Sequence, residues 1–168
     1  MKRQAANKRG FTLVEVLVAV FVLAIGLLGL SGLQVAGLRN NHSAYLRTQA
    51  TLLASDMADR MRANAVALEA SAYDQPTATE NTHCTDRTGC TPVQMAEQDM
   101  YEWSDPASPT SVAKLLPNGA GIVCIDDTPD DGSSSNPDCD GDGNTYAIKV
   151  WWTDDRSGNE KRFVTTVF

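Results

Sequence analysis

Charge is scarce in this 168-residue chain where it first matters. After Arg9 the stretch to Leu33 holds a single ionisable side chain, Glu15, and from Val16 to Leu33 eighteen residues include one polar side chain, Ser31. Such a run reaches the lower length limit for a membrane-spanning helix and is excluded from a water-soluble core. Bases are scarce elsewhere too. Lys2, Arg3, Lys8 and Arg9 are four of the fourteen Lys and Arg, so the remainder sets ten bases against twenty-one acids, a formal −11. Phosphate binding depends on clustered Lys and Arg, so this balance excludes a nucleic-acid partner and favours solubility. There are only two histidines, His42 and His83, and no nucleophile–base constellation accompanies them, which argues against an enzyme. No C-x-x-C spacing is present, which removes the usual zinc and thioredoxin-type readings.

What is there begins with the cysteines. Cys84, Cys90, Cys124 and Cys139 all lie beyond the apolar run, as expected for two disulfides in an oxidising compartment. Three pairings are open; the preferred one closes the two short loops, Cys84–Cys90 and Cys124–Cys139.

The leader MKRQAANKR is basic, but no hydrophobic segment precedes a cleavage site of the A-x-A kind, and the apolar run starts directly after Gly10. The positive flank places the short N-terminal piece in the cytoplasm and exports the rest. At this boundary stands Gly10-Phe11-Thr12-Leu13-Val14-Glu15, which resembles the processing motif of type IV prepilins and of the pseudopilins of type II secretion. The resemblance implies that a prepilin peptidase cuts between Gly10 and Phe11 and N-methylates the new Phe11 amine. It also implies that Glu15 meets a neighbouring subunit's Phe11 amine in the filament core. A buried carboxylate is costly in lipid unless paired; before assembly, snorkelling to the headgroups is the alternative accommodation for Glu15. The division that follows is a cleaved leader over 1–10, a membrane or filament-core helix over 11–33 and a periplasmic head over 34–168.

Beyond the span the helical pattern continues to about Ala70, with Leu46, Leu53, Met57, Met61 and Leu68 on one stripe. Asp56 with Arg60 and Asp59 with Arg62 are acid-before-base pairs expected on its exposed side. Gly26, Gly29 and Gly32 form a small-residue track suited to close packing or local unwinding. No proline occurs before Pro76, so the helix kink common in major pilins is not expected. A second helix starts at Thr91 as N-cap with Pro92 in its first turn, its apolar face Val93, Ala96, Met100 and Trp103. A short helical turn ends at Pro117 and Asn118-Gly119. Strands are expected over 121–126, 145–154 and 161–168, the last two joined as a hairpin through Asp155 to Asn159. The fold class is α+β, type IV pilin-like: a long N-terminal helix packed on a small antiparallel sheet, with disulfide-bonded loops.

The segments LLASDMADRMRAN, LPNGAGIVC and AIKVWWTD resemble the PilV family of minor pilins, called type IV pilus modification proteins. That resemblance implies membership of a complex that primes pilus assembly and sits near the filament tip. Its partners would be other minor pilins, the major pilin, prepilin peptidase and a tip adhesin, with the inner membrane as host before assembly. A minor pseudopilin of type II secretion and a single-pass periplasmic binding domain are the alternatives. No cofactor is expected, with one exception to weigh. The loop 126–144 holds seven Asp and no base, and Asp138, Asp140, Asp142 and Gly143 reproduce the opening of a calcium loop. The closing acid of an EF-hand falls on Lys149, so the choice lies between a Ca²⁺ site of another shape and a loop whose carboxylates face water.

Overall fold

The computed structural model describes residues 10–154 and 158–168. Helix α1 (Leu13–Ala63) is followed by α2 (Ala65–Glu69), a 3₁₀ turn (Thr82–Thr85), α3 (Pro92–Ser104), α4 (Val112–Leu115) and strands β1 (Ala120–Ile125), β2 (Tyr146–Thr153) and β3 (Glu160–Val167). The chain divides into two units, one up to His42 and one from Ser43 to Phe168. In the first unit the described residues are all exposed.

In the second unit the core forms on the segment of α1 beyond Ser43. Leu46, Ala50, Leu53, Ala54, Met57, Ala58 and Met61 are buried, so the expected stripe is present, widened by a row of alanines at four-residue spacing. The expected continuous helix to Ala70 is interrupted at Asn64. Its backbone leaves helical geometry (φ −107°, ψ 56°). Its amide Nδ2 donates to Pro92 O at 2.8 Å and to Tyr73 Oη at 3.3 Å. An Asn whose side chain finds partners across the fold gains more from leaving the helix than from prolonging it. Leu68 therefore stands on α2, partly buried against the same core. Arg62 pairs with Asp59 at the surface as expected. Arg60 does more: besides Asp56 it reaches Asp99 at 3.3 Å and Glu102 at 2.7 Å on α3.

Helix α3 opens with the expected cap, which proves to be a full capping box between Thr91 and Gln94. Ala96, Met100 and Trp103 are buried as expected, but Val93 is half exposed, because its place in the first turn lies beside solvent. Trp103 Nε1 donates to Leu53 O at 2.8 Å, which satisfies a large buried ring on the carbonyl row of α1.

The sheet has the order β1-β2-β3, antiparallel throughout, each strand within a residue or so of its expected bounds. The expected β2–β3 turn includes 155–157, which lie outside the described residues. On one face Val123, Tyr146, Ile148, Val150, Trp152 and Val167 join the helices in a single core. The opposite face, carrying Cys124, Ala147, Lys149 and Trp151, is buried as well. Its cover is the loop 126–144. Cys124 is bonded to Cys139, Lys149 Nζ donates to Pro137 O at 2.9 Å, and Arg162 donates to Gly132 O at 2.9 Å. Both faces of β2 are thus dry, one under helices and one under an acidic loop.

Candidate functional site

The functional residues indicated by sequence gather at the start of α1. Gly10 and Phe11 precede the helix, both exposed, and Phe11 keeps 83% of its surface open. A Cβ placed on Gly10 would meet nothing within 4 Å, so the fold itself does not require glycine there.

Thr12 caps the helix. Its Oγ1 accepts from Glu15 N at 3.3 Å, and its carbonyl accepts from Glu15 N and Val16 N. The spacing T-x-x-E is also that of a capping box, a local signal that the processing motif conceals. Glu15 therefore stands in the first turn, where the helix dipole favours an acid. Among the described residues its carboxylate makes no hydrogen bond or ion pair. Around it Leu13, Val14, Val16, Leu17, Val18, Val20 and Phe21 are all more than half exposed. Ser31, the one polar side chain of the run, donates to Leu27 O at 2.8 Å and leaves the span without an unmet polar group of its own. Gly26, Gly29, Gly32 and Gly37 have open space where a Cβ would stand, so no contact within this chain calls for them. The helix is long and apolar enough to cross a membrane. It combines a lipid-compatible surface, a first turn capped by Thr12 and one carboxylate without an ion-pair partner among the described residues.

The disulfides are Cys84–Cys90 and Cys124–Cys139, the preferred pairing. Asp138, Asp140 and Asp142 are not drawn into one group. Among the described residues the only three-residue group within ligand reach is Cys124, Asp126 and Cys139, and its sulfurs are joined to each other. Asp140 instead works inside the loop, its Oδ1 accepting from Asp142 N at 2.8 Å and Asp127 N at 3.2 Å. Spacing in a sequence does not report which way successive carboxylates turn, and here backbone amides claim the central one. His83 stands beside Asp86 at 3.4 Å on the surface.

Two comparisons bear on this arrangement. Residues 5–31 match the family model described as a prokaryotic N-terminal methylation motif. Residues 32–101 match the one described as Tt1218-like, type IV pilin Tt1218. No curated protein and no solved structure matches the chain. A long apolar N-terminal helix, a three-stranded antiparallel sheet and two disulfides give the chain a type IV pilin-like α+β fold. More particularly, the segment from the end of the span into α3 is similar to the type IV pilin Tt1218 family, and the methylation motif with its apolar helix fits membrane anchoring and pilus assembly.

Proposed function

We propose that this pilin is a minor pilin of the PilV-like kind, which takes part in priming type IV pilus assembly and enters the filament near its tip. It works by polymerisation, not by catalysis. The observation that carries the reading is Glu15, a carboxylate in the first turn of an exposed apolar helix that has no counter-charge among the described residues. Prepilin peptidase cuts between Gly10 and Phe11, and the freed, methylated amine of Phe11 supplies the missing charge to the Glu15 of a neighbour. The glycines of the span, open in the single chain, suit close packing between helices. The basic leader holds the N-terminus in the cytoplasm, so the disulfide-bonded head lies in the periplasm before assembly. The PilV-like assignment is supported by the way its three segments meet. Met57 and Met61 from the first, Val123 from the second and Ile148, Val150 and Trp152 from the third share one core. Other minor pilins, the major pilin and a tip adhesin are the partners this reading names.

The test is Glu15→Gln. The variant should be cut, methylated at Phe11 and inserted, since a neutral amide is easier to hold in lipid. It should then fail to co-purify with other pilins, and surface pili should fall in number. The loss is expected at about 3–5 kcal/mol, the scale of leaving one half of a buried pair alone. Normal pili containing Glu15→Ala subunits would overturn the reading.

A further inference from the structure

The face of the sheet under the acidic loop holds a cluster that assembly does not use. Lys149 Nζ lies 2.5 Å from Asp126 Oδ2, and neither side chain has any exposed surface. The contact is an ion pair, and Asp126 Oδ2 has no further partner in hydrogen-bond geometry among the described residues. Lys149 Nζ also donates to Pro137 O at 2.9 Å, Asp131 Oδ1 at 3.0 Å and Asp131 O at 3.5 Å. Asp126 Oδ1 is held by Thr128 N at 2.9 Å, and Asp131 Oδ2 by the Thr128 hydroxyl at 2.8 Å. A nucleophilic nitrogen is thus pressed against a carboxyl group in a dry site, with a second carboxylate fixed beside it. Asp131 is the only one of the three with solvent access, its side chain 38% exposed.

We propose that Lys149 and Asp126 condense to an intramolecular isopeptide bond, with Asp131 carrying the proton. The step starts from the neutral amine and the neutral acid, reached when the ion pair exchanges one proton. The Nζ lone pair adds to Cγ of Asp126 while Asp131 takes the proton released from nitrogen. Asp131 returns it to the departing hydroxyl, the C–O bond breaks and water leaves on the exposed side of Asp131. Amine and acid become amide and water; nothing is oxidised or reduced, and no co-reactant is needed. Two reactants held in contact with water excluded meet the positional demand of the step. The bond would join the strand β2 to the end of β1 beneath the loop, beside the disulfide that closes the same loop.

Intact mass and peptide mapping of the full chain, extracted in detergent and then reduced, test this. The expected mass is one water below that of the processed, methylated sequence, with a branched peptide linking Asp126 to Lys149. Succinimide formation at Asp131-Gly132, Asp140-Gly141 or Asp142-Gly143 would also remove water. A deficit that survives in Lys149→Met therefore overturns the proposal. Asp131→Asn should keep both disulfides yet lose the branched peptide; an undiminished link there overturns the role of Asp131. Wild-type chain with both disulfides formed, full mass and a free Lys149 amine overturns the bond itself.

Discussion

Asp99 shows how a single buried residue makes the head respond to pH. It accepts from Tyr73 Oη at 2.5 Å and from Arg60 at 3.3 Å, and its side chain is nearly enclosed. Burial pushes its carboxyl above the ordinary range, although Tyr73 and Arg60 pull the other way. Nearby Glu102 is held below the ordinary range: burial alone would raise it, but its bonds to Arg60 and Gln98 outweigh that. The folded chain therefore holds the Asp99 proton more tightly than the unfolded chain does. Its contribution to stability is full below the unfolded value and is lost as pH rises through the raised folded value. Asp99→Asn keeps an acceptor and removes the titration. The difference in melting temperature between variant and wild type should shift in the variant's favour as pH rises from strongly acid to neutral. Each pH unit of that window is worth at most about 1.4 kcal/mol. A difference that is flat across the range, measured by tryptophan fluorescence of the detergent-solubilised chain, would show that Asp99 does not titrate between the two states.

At the scale of elements, the meeting of α3 with β1 depends on one absent side chain. A Cβ on Gly121 would stand 2.6 Å from the Trp103 ring, so the indole packs where only a glycine leaves room. Gly121→Ala must displace the ring or the strand, and should cost about 1–3 kcal/mol, as overpacking does. Trp103→Ala should cost about 3–5 kcal/mol, and Leu53 O would lose its indole donor as well. Denaturant melts of the two variants check both figures; Gly121→Ala with wild-type stability would show that α3 can shift freely. Much of this element pattern is legible in the sequence, because it rests on periodicity and local caps: Thr91 with Pro92, the apolar stripe of α1, the β-branched runs. The interruption at Asn64 is not legible, since it depends on Pro92 O and Tyr73, which lie far along the chain. Nor is the inter-helix role of Arg60, for spacing shows its neighbour Asp56 but not Asp99 and Glu102. The N-terminal motif is the most legible part, because it is a local run of sequence that needs no contact with the rest of the fold.

For the whole molecule, the largest departure from a simple helix-on-sheet plan is that the acidic loop acts as a second layer. Seven Asp suggest a solvated tip, and several of them are. Yet Asp126 and Asp131 hold Lys149, and Asp140 orders the loop's own backbone. The sheet has only three strands, so its second face would be wetted without this cover, and Trp151 and Ala147 would be exposed. Tying the cover down is the task of Cys124–Cys139, whose sequence separation is 15, against 6 for Cys84–Cys90. A cross-link that closes a longer loop removes more entropy from the unfolded chain. Replacing Cys124 and Cys139 by Ser should cost about 3 kcal/mol, and replacing Cys84 and Cys90 about 2 kcal/mol. The two losses should also differ in kind. Without Cys124–Cys139 the loop can lift from the sheet, so Trp151 should gain solvent exposure and red-shifted emission before global unfolding. The Cys84–Cys90 loop covers no strand, and its loss should leave Trp151 shielded until the head melts. Equal emission changes in the two double variants would show that the loop's polar contacts hold the cover without the disulfide.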